Sequence, residues 1–250
     1  MSGFEPRNDD VLLTSFTKTG RLKALCYNIL DKEAGEDLLA KKNPHEVVPT
    51  LENTFLKDQL AYSCLPEVVR ESGCKFVYLA RNPKDTVVSM WHFYNKLLTR
   101  GGPEPFPLEG AVESFCSGVL PFGPFYEHVV GYWEESWRRP EEVLFLKYED
   151  LWRESKEQVK KLASFLGKSF SQLDGDGEVE KVLWRSSLDR LKELEVNKSG
   201  VGELNHVPNA TFFRRGTVGD WKNHLTSQMA QRIDHLTESK LQGTGLSLDD

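Results

Sequence analysis

Apolar positions along this chain fall into short β-like runs separated by stretches of helical spacing. Val11-Leu12-Leu13-Thr14-Ser15-Phe16 is brief, apolar and β-branched at its start, and it predicts a buried strand. Leu22, Leu25, Cys26, Ile29 and Leu30 then recur three and four residues apart, which predicts a helix. Residues 31–60, punctuated by Pro44 and Pro49, read as short helices and loops. A helical turn is expected from Leu65 to Glu71, ending near Gly73. Lys75-Phe76-Val77-Tyr78-Leu79-Ala80 predicts a second buried strand. It breaks at Arg81-Asn82-Pro83, where Asn82 can cap and Pro83 suits a first helical turn, so a helix runs on through Ser89, Trp91 and Tyr94. Gly101-Gly102-Pro103 and Pro105-Phe106-Pro107 mark a loop. Phe125, Val129, Trp133 and Trp137 repeat every four residues, giving a helix that ends by Pro140 and whose aromatic stripe is expected in the core. Val143-Leu144-Phe145-Leu146 is a third strand. Val159, Leu162, Ala163 and Leu166 predict a helix with Gly167 as its C-cap. A further helix is expected over about Glu178 to Leu194, and a last one around Ala230, Ile233 and Leu236. Ser199 to Gly219 has neither period.

Three apolar strands separated by helical stretches imply parallel pairing through right-handed crossovers. The expected fold is therefore α/β, a central parallel β-sheet flanked by helices. A length of 250 residues suits one such domain, 1–250, with two small domains as the alternative. Hydrophobic content of 39% is enough for a real core. A formal charge of −6 argues against bulk nucleic-acid binding, and leaves room for a local basic pocket. The polar start, Met1 to Asp10, lacks the basic and apolar regions of a signal peptide, and no run nears the ~20 apolar residues of a membrane span. A cytoplasmic location is expected on those grounds. Cys26, Cys64, Cys74 and Cys116 show no C-x-x-C spacing and are expected as reduced thiols, with no metal bound. Asn197-Lys198-Ser199 and Asn209-Ala210-Thr211 are read as chance matches to the glycosylation pattern.

Three stretches carry candidate chemistry. Thr17-Lys18-Thr19-Gly20 lies between a strand and a helix, where unpaired N–H groups and the helix dipole favour an anion. The same run can be a plain strand-to-helix turn. The Walker A order is absent, since Lys18 precedes Gly20, which disfavours a nucleotide kinase. Arg81 stands at the C-terminal end of a strand, the edge at which open α/β sheets bind ligands. Phe213-Arg214-Arg215-Gly216-Thr217-Val218-Gly219-Asp220-Trp221-Lys222-Asn223 sets two guanidinium forks before a glycine whose backbone can approach a phosphate. A solvated basic turn before a helix is the other reading of that run.

Taken together, these segments resemble the cytosolic sulfotransferases, particularly those of plants, over nearly the whole chain. The most specific pieces are Tyr78-Leu79-Ala80-Arg81-Asn82-Pro83-Lys84-Asp85 with Ser89 beyond it, and Arg214 to Asn223. Asn43-Pro44-His45-Glu46, Tyr62 to Glu67, Leu146-Lys147-Tyr148-Glu149-Asp150 and Leu194 to Gly200 add to it, in matching order. The resemblance implies a P-loop-kinase-like sulfotransferase fold. It also implies sulfonate transfer from 3′-phosphoadenosine 5′-phosphosulfate (PAPS) to a hydroxyl or amine of a small-molecule acceptor. Arg81 and Ser89 would hold the 3′-phosphate with Arg214, Arg215 and the backbone of Gly216. Tyr148 would lie by the adenine. Lys18, Thr19 and Gly20 would cradle the 5′-phosphosulfate, with Lys18 countering charge on the leaving phosphate.

The sequence departs from the family pattern at four places. The family loop continues Lys-Thr-Gly-Thr-Thr-Trp, whereas here Gly20 runs directly into Arg21-Leu22-Lys23-Ala24-Leu25. The family's general base is a His in a Thr-His-x-Pro-Tyr run, and the matching stretch reads Asp58-Gln59-Leu60-Ala61-Tyr62. Gln59 cannot take a proton, so a paralogue that holds the nucleotide without efficient turnover is the alternative expectation. The N-terminus is short relative to the family. The family's dimer segment is also altered, with Ser227 and Gln231 where Val and Glu stand, so a monomer or weak homodimer is expected.

Overall fold

The structure is a computed structural model that describes residues 6–16, 20–31, 37–48, 61–98, 104–121, 123–170, 175–202 and 207–249. In chain order its elements are β1 (Val11–Thr14), α1 (Gly20–Leu30), α2 (Pro44–Val47), α3 (Glu67–Arg70), β2 (Lys75–Ala80), α4 (Pro83–Leu98), α5 (Leu108–Cys116) and α6 (Phe125–Arg138). There follow β3 (Val143–Lys147), α7 (Tyr148–Arg153), α8 (Ser155–Phe165), α9 (Gly175–Arg185), α10 (Leu188–Glu193), α11 (Glu195–Lys198) and α12 (Ser227–Leu241). Two compact units emerge. The first comprises Met1–Thr17, Glu52–Glu149 and Thr217–Asp250, and the second Lys18–Leu51 and Asp150–Gly216.

The first unit holds the sheet, in the order β1-β2-β3 and parallel throughout, as expected. Val11 pairs with Lys75 and Thr14 with Tyr78; Phe76 pairs with Val143 and Ala80 with Lys147. The central strand β2 is buried from Phe76 to Ala80, which is why its sequence is an unbroken apolar run, while β1 alternates half-buried and buried positions. Tyr78, fully buried, stacks on Tyr132 of α6 at 4.5 Å between ring centroids and on Phe145 of β3 at 5.3 Å. Rings of this size, offset-stacked and dry, stabilise by roughly 2–3 kcal/mol each through burial alone.

In the second unit α1 packs on α2, α8 and α9. Ala24, Leu39 and Leu191 form a buried core there, and Asn28 donates to the Ser186 hydroxyl at 2.9 Å.

Several expectations need correction. β1 ends at Thr14, and Phe16 turns into the core to meet Phe125 edge-on at 5.1 Å. The helix expected over Glu178 to Leu194 is two, α9 and α10, broken at Ser186-Ser187. Ser187 caps α10 by accepting the Arg190 N–H at 3.3 Å, and Ser186 is spent on Asn28. Helix α5 was not anticipated. The aromatic stripe of α6 is core only at its start: Phe125 and Val129 are buried, whereas Trp137 is 71% exposed. The aperiodic stretch contains an isolated antiparallel bridge, Val201 to Pro208, and a 3₁₀ turn at Asn209–Phe212. Among the described residues no helix is long and apolar enough to cross a membrane.

Candidate active site

In the first unit the site is built at the C-terminal ends of β2 and β3. Arg81 follows β2 directly, and Tyr148 and Glu149 follow β3. The Arg81 guanidinium lies over the Tyr148 ring, 4.7 Å from its centroid. One of its terminal nitrogens donates to the Thr217 carbonyl at 2.9 Å and faces Asp85 at 3.3 Å. Its Nε is buried and has no hydrogen-bond partner among the described residues. A buried cationic donor left over after three contacts is what a phosphate oxygen can satisfy.

The turn between β2 and α4 is held at several points. The Asn82 side-chain oxygen accepts the N–H groups of Lys84 at 2.9 Å and Asp85 at 3.4 Å, and Pro83 opens the helix, as its sequence promised. The Asn82 amide donates in turn to the Leu248 carbonyl at 3.1 Å. Glu149 accepts the Asn82 backbone N–H at 2.9 Å. Burial pushes the Glu149 carboxyl above its ordinary range, against opposing contributions that include this hydrogen bond and the Arg81 charge. Ser89 lies on α4 four residues after Asp85 and eight after Arg81, so it shares the Asp85 face of the helix, and it is buried.

In the second unit Gly20 is the first residue of α1. His45 stands against it: a Cβ at Gly20 would lie 3.2 Å from the imidazole Nε2. The same ring packs on Phe212 at 4.3 Å. Helix α2 begins with a capping box, in which Asn43 accepts the His45 N–H at 2.9 Å and Glu46 accepts the Asn43 N–H at 3.3 Å. Asn43 also donates to Asn197 at 2.8 Å, which joins two of the segments that carry the family resemblance. Asn197 and Asn209 are buried and spend their amides on the carbonyls of Leu191 and Val196, a structural use for both asparagines of the chance glycosylation matches.

Arg214, half-buried, and Arg215, exposed, precede Gly216 in one loop of this unit. Gly216 has φ 66°, the left-handed region that favours glycine, and a Cβ there would come within 2.4 Å of the Leu188 Cδ2, the end of a half-buried side chain that would have to shift.

Of the nine residues expected at the site, the structure brings Arg81 and Tyr148 into contact in the first unit and gathers Arg214, Arg215 and Gly216 in the second. Lys18 and Thr19 lie outside the described residues, as does Gln59. Asp85 and Glu149 also belong to this site, and the sequence pattern assigns them no role. Their signals were available: Asp85 is four residues beyond Arg81, and Glu149 sits at a strand end beside Tyr148.

With this geometry in view, comparison with known proteins is decisive. The family model described as the sulfotransferase domain matches residues 8–245. The chain belongs to the sulfotransferase family. Flavonol 3-sulfotransferase of Flaveria bidentis is 39% identical to this sulfotransferase over 268 residues, covering 98% of the chain and 86% of the relative. Cytosolic sulfotransferase 17 of Arabidopsis thaliana is 40% identical over 268 residues, covering 97% of the chain and 77% of the relative. Among solved structures, the mouse sulfotransferase SULT7A1 complexed with PAP superposes with TM-score 0.70 at 26% identity, covering 96% of this chain and 86% of that one. This is a plant-type member, and its parallel α/β architecture is the P-loop-like sulfotransferase fold.

Proposed function

We propose that this sulfotransferase, acting over 1–250 as one sulfotransferase domain in the cytoplasm, moves a sulfonate group from PAPS to a hydroxyl or amine of a small-molecule acceptor. The observation that carries the reading is Arg81 at the strand edge: a guanidinium over the Tyr148 ring, bonded to Thr217, with a buried N–H donor that no described residue satisfies. The mouse relative complexed with PAP supports a nucleotide of this type, and the flavonol sulfotransferase of Flaveria supports a small-molecule acceptor.

The roles follow from the chemistry of each group. In the first unit Arg81 and Ser89 supply cationic and hydroxyl donors to the 3′-phosphate, and Tyr148 offers a ring to the adenine. In the second, Arg214, Arg215 and the Gly216 N–H supply phosphate donors. Gly20 opens α1, whose helix dipole favours an anion at this end, and with Lys18 and Thr19 it takes the 5′-phosphosulfate end. PAPS supplies the transferable sulfonate; the chain binds it, orients it and counters charge on the departing phosphate, chiefly through Lys18. These donors need no metal.

The test is a mass-spectrometric screen of the purified chain with PAPS and a panel of flavonols, phytosteroids, hydroxylated jasmonate-like acids and desulfoglucosinolates. A gain of one sulfonate mass on an acceptor is expected. No product from a chain that binds PAP would favour the alternative reading, a nucleotide-holding paralogue, which rests on Gln59 and the direct Gly20-Arg21 junction.

A further inference from the structure

Asp85 is fully buried, with 0% exposure. A buried carboxylate is costly unless both oxygens are satisfied. One oxygen accepts the Gly219 N–H at 2.8 Å and faces the Arg81 guanidinium at 3.3 Å. The other accepts the Trp221 N–H at 3.0 Å. Arg81 itself donates to the Thr217 carbonyl at 2.9 Å. These contacts close a ring: strand end, first turn of α4, and the Thr217–Trp221 turn, with Asp85 bonded to two of its sides. A residue that only balanced the Arg81 charge would have no need of two backbone donors.

We propose that Asp85 is a positioning residue for the donor nucleotide. It ties the Thr217–Trp221 turn to the start of α4, and that turn, through the Thr217 carbonyl, sets the direction in which the Arg81 fork points. Asp85 is negatively charged and is no phosphate ligand itself; it acts through Arg81. The inference rests on the reading of Arg81 as a ligand of the 3′-phosphate.

Charge alone and positioning make opposite forecasts. Removing a negative charge 3.3 Å from Arg81 would leave more positive potential for a phosphate and tighten binding. Asp85→Asn removes that charge and also sets an NH₂ group against a backbone N–H, which breaks one side of the ring. If positioning dominates, nucleotide affinity falls. Loss of a hydrogen bond to a charged group corresponds to roughly a 10- to 100-fold weakening.

The experiment titrates PAP into the wild-type chain and Asp85→Asn by calorimetry, with hydrogen exchange followed by mass spectrometry. The variant is expected to bind PAP roughly 10- to 100-fold more weakly. Its Gly219 and Trp221 amides should exchange faster while the β2 amides stay protected. In turnover, KM for PAPS should rise and KM for the acceptor should not, a split that general destabilisation would not produce. Unchanged or tighter PAP binding by Asp85→Asn, with wild type binding normally, overturns the role of Asp85 alone. Absence of PAP binding by folded wild type overturns the phosphate reading and this inference with it. Should Asp85→Asn fail to fold, the wild-type chain still decides. PAP should slow exchange at Gly219 and Trp221, and unaltered exchange there with PAP bound refutes the proposal.

Discussion

Gly216→Ala is the substitution whose cost can be worked most fully from the structure. Two terms contribute. At φ 66° an alanine sits in the left-handed region, which costs roughly 1–2 kcal/mol. Its Cβ would also lie 2.4 Å from the Leu188 Cδ2, an overlap worth roughly 1–2 kcal/mol because the Leu188 side chain is half-buried and can give way in part. The expected loss is about 2–4 kcal/mol in equilibrium urea unfolding. Gly167 provides the control: its φ is 71° and an added Cβ would meet nothing within 4 Å. Gly167→Ala should therefore show the strain alone, roughly 1–2 kcal/mol. Adding Leu188→Ala to Gly216→Ala should recover the overlap but not the strain, so the two changes should be non-additive by roughly 1 kcal/mol or more. A Gly216→Ala chain within about 0.5 kcal/mol of wild type would refute the reasoning, since that is the range of an ordinary surface change.

Two further predictions concern stability. Burial pushes the His128 imidazole down from 6.5 to about 4, and Tyr78 shares a 2.9 Å hydrogen bond with its Nδ1. The unfolded chain takes up a proton that the folded chain refuses, so this contribution is complete above pH 6.5 and is lost as pH falls through about 4, roughly 3 kcal/mol in all. His128→Gln cannot titrate, and its stability should fall less steeply by that amount when chemical unfolding is compared at neutral and acid pH; parallel profiles would contradict this. Asn43→Ala removes the cap on the His45 N–H and leaves the Asn197 oxygen buried without its donor. It should cost about 2–4 kcal/mol in thermal or urea unfolding, and a neutral effect would mean the amide pair is not maintained in solution.

The sheet was legible because parallel strands are buried on both faces. Phe76 to Ala80 and Val143 to Leu146 carry no charged residue that would suggest a surface element, and Asn82-Pro83 announced the helix after β2. Arg81 could be placed at the C-terminal edge of a strand from the local pattern, whereas Tyr148, which the structure sets against it, entered only through the family resemblance. What was missed lies where local pattern loses to tertiary bonding. Ser186 and Ser187 look compatible with a continuous helix, yet one serves Asn28 and the other caps α10. Trp137 keeps the four-residue spacing of a core stripe although its side chain is exposed. Asp85 reads in sequence as an ordinary acidic residue in a helix's first turn. Its pairing with Arg81 is local, but both of its backbone partners come from the return of the chain at Gly219 and Trp221, far along the sequence.

The central claim is that the chain recognises a nucleotide through its 3′-phosphate, with Arg81 as a ligand. The most direct test compares calorimetric titrations of the folded chain with PAP and with adenosine 5′-monophosphate, which lacks that phosphate. Micromolar binding of PAP, much weaker binding of the monophosphate, and loss of the difference in Arg81→Ala are expected. Equal affinity for the two nucleotides, or no binding of PAP, would contradict the account.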